Sequence, residues 1–218
     1  MNQTKTTELI IIRHGETLWN LENRWQGHQD SDLSPLGLQQ VEAVAQRMAS
    51  VSFDALYSSD LPRAYRMAEA IAATSGCGRG RSVAIEPMLR ERKLGAFEGL
   101  TSEEIRQQHP AAYEGFAARD PAFVIPDGES LIAKHARAVD VFERIARQHA
   151  GQRVVLVTHG GILDSAFRLA VDLPLTVPRR WGLYNASLNV MTHNFDGWRL
   201  DSWGDVSHLQ RTGTLDDY

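Results

Sequence analysis

Cysteine is nearly absent from this chain: Cys77 is the only one in 218 residues. An internal disulfide is thereby excluded, and nothing calls for an oxidising compartment. Positive charge is not in excess either. Lys and Arg number 23 against 27 Asp and Glu, for a formal net charge of -4. That balance argues against nucleic acid as a partner, which would need a basic stripe. No apolar stretch nears the ~20 residues of a membrane span. Met1 to Glu8 is polar and carries no apolar core of a signal peptide. A cytoplasmic protein is expected, with neither membrane nor nucleic acid among its partners. Several catalytic signatures are also missing. There is no H-E-x-x-H or comparable ligand spacing among the eight histidines, so no metal site is expected. No G-x-S-x-G elbow, P-loop or G-x-G-x-x-G is present, so no nucleotide cofactor is expected.

What is present alternates between strand and helix. Leu9 to Ile12 and Val154 to Val157 are continuous aliphatic runs, suited to strands buried on both faces of a parallel sheet. Ser34 before Pro35 marks a helix start, and Val41, Val44, Ala45 and Met48 follow at helical spacing. Leu61, Ala64, Ala68 and Ile71 form a second such face, after a short strand at Ala55 to Tyr57. Val83 to Ile85 reads as a further strand. Thr101 with Glu104 forms a capping box. Residues 110–126 read as irregular, and a helix with Leu131, Ala138, Val141, Phe142 and Ile145 on one side follows. The helix after Gly161 is expected to run to about Leu173, stopped by Pro174. Leu188 to Met191 and Trp198 to Leu200 predict a closing hairpin around Asn194 to Gly197. Gly76 to Gly80 reads as a flexible connector. The pattern predicts an α/β three-layer sandwich, with helices on both faces of a mostly parallel sheet to which the closing hairpin adds an antiparallel edge. One domain over 1–218 is expected, with a core at about 8–203 and a small rim segment at about 97–127.

Both aliphatic strands end in histidine and glycine: Ile12-Arg13-His14-Gly15 and Val157-Thr158-His159-Gly160-Gly161. Open α/β sheets place ligands at the carboxyl ends of strands. Arginine beside histidine there suggests an anion held next to a nucleophile or a general base. Arg63 opens a helix after a strand end, where backbone amides and the dipole favour an anion. Taken alone, Arg63 reads more readily as a solvated surface residue than as a ligand, and Glu91 equally as half of a surface ion pair.

Together, Arg13-His14-Gly15-Glu16-Thr17, Asn20, Ser58-Ser59-Asp60 with Arg63, Leu89-Arg90-Glu91 and Thr158-His159-Gly160-Gly161 resemble the histidine phosphatase (phosphoglycerate mutase-like) superfamily. The resemblance spans Leu9 to about Trp203 and implies a single α/β domain with a six-stranded, mostly parallel mixed sheet. It implies a metal-independent phosphomonoesterase acting on small phosphorylated metabolites. His14 would form a transient phosphohistidine, Arg13, Arg63 and His159 would bind the phosphoryl oxygens, and Glu91 would be the proton donor. Asn20, Gln26, Gly27 and Gly160 match positions lining the substrate pocket. The residue types suit the chemistry, because phosphoryl transfer is mostly positioning and charge neutralisation. Arginine presents a permanently charged fork to phosphate. The attacking imidazole must be neutral, with its other nitrogen donating to a carbonyl.

The main rival is a 2,3-bisphosphoglycerate-dependent phosphoglycerate mutase. Leu94 stands where mutases in this resemblance carry a tyrosine, and Gln26 where they carry threonine. The stretch from Gly99 to Asp127 is too short for a mutase cap. A catalytically silent binding module is the non-enzymatic alternative, and a homodimer through the edge of the closing strands is an expected assembly. These departures predict that 3-phosphoglycerate, if accepted, loses inorganic phosphate. Rapid conversion to 2-phosphoglycerate without phosphate release would reverse the choice.

Overall fold

The computed structural model describes residues 5–74 and 82–212; the connector Gly76 to Gly80 lies outside the described residues. Among these residues the sheet has six strands: β1 (Thr7–Arg13), β2 (Ala55–Ser58), β3 (Ala84–Ile85), β4 (Arg153–Thr158), β5 (Leu188–Asn194) and β6 (Gly197–Asp205). Their spatial order is β3-β2-β4-β1-β5-β6. The first four run parallel, while β5 and β6 are antiparallel additions. The sheet is thus the expected mixed one, although β3 is shorter than its sequence suggested.

Alternation along the central strands divides the core in two. Ile10, Ile12, Val155 and Val157 face α2 (Pro35–Met48) and α3 (Pro62–Thr74), which supply Val44, Met48, Met67 and Ile71. Leu9, Ile11, Val154 and Leu156 face α6 (Leu131–Gln148) and α7 (Gly160–Ala170), which supply Val141, Phe142, Ile145, Ile162 and Leu163. Successive strand residues point to opposite faces, so continuous apolar runs are needed where both are covered. The predicted Ser34 cap forms, accepting from the Gly37 amide, and Ser130 caps α6 in the same way, accepting from that of Ala133. Thr101 and Glu104 close their capping box at the start of α4 (Ser102–Gln108).

Three local readings need correction. Residues 110–126 are not wholly irregular, because α5 occupies Pro110–Ala117, with proline at its first position. The last major helix ends at Ala170 rather than Leu173. There Arg168 turns back to donate to the carbonyls of Pro174 and Val177, at 2.6 and 3.0 Å, and draws the chain out of helix. A short α1 (Leu18–Leu21) inside the first loop was unforeseen.

A third cluster lies under residues 97–127. Leu94, Phe97, Ile105 and Ile125 are buried, with Trp25, Tyr113, Phe116 and Phe123 packed against them. Trp25 and Phe116 meet edge to face at 5.4 Å. These aromatics therefore pack against one another. Among the described residues no helix is long and apolar enough to cross a membrane.

Phe142 is fully buried at the centre of the second cluster. Phe142→Ala is expected to cost about 3–5 kcal/mol, read as a lower urea midpoint; a change under about 1 kcal/mol would contradict this packing.

Candidate active site

Strand register brings the two histidines together. β1 and β4 are hydrogen-bonded neighbours, with Arg13 opposite Thr158. The residues that follow, His14 and His159, leave the sheet level with each other. Their rings are 5.2 Å apart, centroid to centroid. Both are buried.

Each imidazole has one ring nitrogen engaged by a neighbour. His14 Nδ1 lies 2.7 Å from the Gly15 carbonyl oxygen, so it carries the proton and donates. The lone pair then sits on Nε2, free for attack. Burial, then Arg63 and then Arg13, hold the His14 pKa well below its usual value. His159 likewise has its pKa held well below the usual value, by burial first and then by Arg63, His14 and Arg13. Its Nε2 lies 2.8 Å from Ser59 Oγ. That oxygen also accepts from the Leu61 amide; with the Ser59 hydroxyl donating to Nε2, the ring's own proton sits on Nδ1. His159 Nδ1 is buried with no partner among the described residues. A buried N–H in that condition costs about 1–3 kcal/mol unless an acceptor meets it, which suits a phosphoryl oxygen. Ser59, part of the family motif but given no catalytic role from sequence, thus stands against a candidate site residue.

Arg63 is 1% exposed. Nη1 donates to the Gln29 carbonyl at 2.8 Å and to Asp30 at 2.7 Å, and Nη2 to the Gly27 carbonyl at 2.8 Å. Three of its five protons are thereby used. Nε has no partner among the described residues, so Nε and the second Nη2 proton remain as a fork for an oxyanion. Arg13 is held by the Leu183 carbonyl and lies against Gly160, where an added Cβ would sit 3.5 Å from its guanidinium carbon.

Glu91 follows a 3₁₀ turn at Pro87–Leu89. The turn is tied to the end of β4, where Thr158 Oγ1 donates to the Leu89 carbonyl at 2.7 Å. The Glu91 carboxylate accepts from the Arg92 amide at 2.7 Å and the Gly161 amide at 2.8 Å. A Cβ at residue 161 would overlap that carboxylate, which explains the second glycine after His159. Arg137 of α6 clasps the Arg90 and Glu91 carbonyls at 2.8 and 3.1 Å. His28, read from sequence only as a non-ligand, donates to the Glu91 carbonyl through Nε2 at 2.9 Å.

Gly27 has φ of 55°, and a side chain there would overlap the Glu98 carboxylate. Glycine alone meets both demands. Gln26 Nε2 donates to Thr17 at 2.7 Å, which leaves buried Oε1 without a partner among the described residues. That acceptor suits an N–H or O–H on a substrate's organic part rather than a phosphoryl oxygen. Asn20 Oδ1 accepts from the Thr17 amide and hydroxyl, both at 3.1 Å, within the α1 cap. Asn185 was not foreseen; it donates to the His14 carbonyl at 3.0 Å. Arg119 and Arg180 are both exposed. Trp181 stacks on Phe167 at 4.2 Å. Among the described residues no group of three or more His, Cys, Asp or Glu could hold a metal ion.

The depressed histidines carry a stability consequence. In the unfolded chain both would protonate near their ordinary value of about 6.5, whereas the folded protein keeps them neutral well below it. The unfolded state then binds more protons. Their contribution to stability is present above about pH 6.5 and is lost as pH falls towards the folded values. Two such groups give a slope of up to about 2.7 kcal/mol per pH unit. Urea unfolding between about pH 7 and pH 5 should show it, and His14→Gln should flatten the slope by close to one proton. An unchanged slope would mean that His14 is not held neutral.

The histidine phosphatase superfamily (branch 1) model matches residues 9–206. Two Arabidopsis thaliana proteins are each 41% identical to the chain. One, a phosphoglycerate mutase-like protein, aligns over 95% of this chain and 89% of its own length. The other, a metal-independent phosphoserine phosphatase, aligns over 98% and 87%. The structure of an Entamoeba histolytica phosphoserine phosphatase mutant with phosphoserine superposes with a TM-score of 0.81 at 28% identity, covering 93% of this chain and 99% of that one. With the family model matching residues 9–206 and these relatives aligning over nearly its whole length, this chain belongs to the histidine phosphatase superfamily.

Proposed function

We propose that the protein is a metal-independent phosphomonoesterase that cleaves small phosphate esters through a phosphohistidine on His14. One observation carries the reading: two neutral, buried imidazoles meet at adjacent strand ends beside a guanidinium with its fork unfilled. That set accepts a tetrahedral dianion and offers a nucleophile to it.

In the first step His14 Nε2 forms the N–P bond as the ester P–O bond breaks, and Glu91 gives its proton to the departing oxygen. Arg13, Arg63 and His159 Nδ1 neutralise the three equatorial oxygens, where charge is spread in the transition state. In the second step water attacks phosphorus, Glu91 takes a water proton, and the N–P bond breaks to release inorganic phosphate. Asn20, Gln26, Gly27 and Gly160 line the pocket in this reading. The whole chain then works as one catalytic domain, with residues 97–127 as its rim.

Leu94 is 5% exposed and packs with Phe97 inside the rim cluster. No hydroxyl is therefore offered there, and the rim is only the short pair α4 and α5, which favours hydrolysis over mutase chemistry. A silent binding module would have no need of two imidazoles held neutral at a cost in stability. The phosphoserine phosphatase among the relatives makes O-phosphoserine the first ester to try, and its ammonium is the kind of donor that Gln26 Oε1 accepts. A cytoplasmic setting fits such a substrate. A homodimer would pair along β6, the free antiparallel edge of the sheet.

His14→Ala should abolish phosphate release and eliminate the acid-labile label formed on quenching with radiolabelled ester. Undiminished hydrolysis by that variant would refute the mechanism. Gly161→Ala, by displacing the Glu91 carboxylate, should lower kcat by about 10²-fold or more while the folded circular dichroism spectrum is kept.

A further inference from the structure

One buried charge has no part in this mechanism. Lys134 of α6 is 1% exposed, on a helix whose other inward residues are mostly apolar. Its Nζ donates to the Gly161 carbonyl at 2.7 Å and to Ser165 Oγ at 3.0 Å. The Asp164 carboxylate is 3.9 Å away. Removing a lysine ammonium from water costs several kcal/mol, and a methionine would fill the same space without that cost. Packing between α6 and α7 therefore does not account for it.

Its position relative to Glu91 does. Gly161 is held at both ends: its amide hydrogen goes to Glu91 Oε2 at 2.8 Å, and its carbonyl accepts from Lys134. The residue has no side chain to fix it, and none is tolerated, because a Cβ would overlap the carboxylate. A glycine in the first turn of a helix is conformationally permissive, and its amide has no intrahelical partner to share the load. We propose that Lys134 is a positioning residue for the proton donor: by pinning Gly161 it holds the Glu91 carboxyl in line with the leaving oxygen. This rests on the reading of Glu91 as general acid. Burial pulls the Lys134 pKa down to about 8, against the raising pull of Asp164 and Glu91, so the ammonium is still charged at neutral pH.

Leaving-group dependence separates this role from a structural one. Phenyl phosphate and p-nitrophenyl phosphate have nearly the same shape, but the phenyl ester needs its leaving oxygen protonated far more. The Lys134→Met enzyme should lose at least ~10-fold in kcat/KM on phenyl phosphate and less than ~3-fold on p-nitrophenyl phosphate. Glu91→Gln is the reference and should discriminate in the same direction, more strongly. If Glu91→Gln lowers both esters equally, the general-acid reading itself fails. If it discriminates and Lys134→Met does not, only the assignment of Lys134 is overturned. Should Lys134→Met not fold by circular dichroism, Ser165→Ala carries the test, since it loosens Nζ without removing the charge. A selective loss on phenyl phosphate then supports the assignment, and a uniform or absent loss rejects it.

Discussion

The site depends on the parallel pairing of β1 with β4, in the register that sets Arg13 opposite Thr158. That pairing is what puts two imidazoles at van der Waals range across the end of the sheet. A slip of one residue would turn every side chain of β1 to the other face, and His14 would leave with them. The apolar alternation on the two strands forbids the slip, because both faces are buried and each has its own helices to meet. Core packing and catalytic geometry are thus one constraint seen at two places along the same strands.

Around that pair, most of the holding is done by backbone groups. Gly15, Gly27, Gln29 and Leu183 contribute carbonyls that fix His14, Arg63 and Arg13. The Arg92 and Gly161 amides fix Glu91. A rigid peptide group is a good anchor for a side chain that must not reorganise during phosphoryl transfer. Side-chain partners appear where a proton must be placed, as with Ser59 on His159, or where a charge must be balanced, as with Asp30 on Arg63. Burying these groups disfavours the charged imidazoles and leaves donors without partners, a cost that the two large apolar clusters offset.

Much of this was legible in the chain. The strands at Leu9 and Val154, the helix faces and the Ser34 and Thr101 caps show because they are local, with periods of 2 and 3.6 or a fixed offset of three. The His-Gly endings marked the candidate residues for the same reason. The reading failed where a distant contact overrides local pattern. Aromatics in α5 masked a short helix that exists to bury Phe116 against Trp25 and Phe97. Arg168, reaching forward to two carbonyls, ended a helix that its own sequence would have continued.

What the residue order alone determined is the set of chemical groups and the strand ends that carry them, together with the layered α/β plan that follows from periodicity. Which of those groups meet was settled only by the folded chain. Asn185 reaches the His14 carbonyl across 171 residues, and Ser59 reaches His159 across 100. The assignment of Lys134 to Gly161 spans 27. None of these separations matches a helical or strand repeat, so no local rule could pair them. Their partners are chosen by how the sheet and its covering helices close, and by the loss of water that makes an unmatched polar group there too costly to keep.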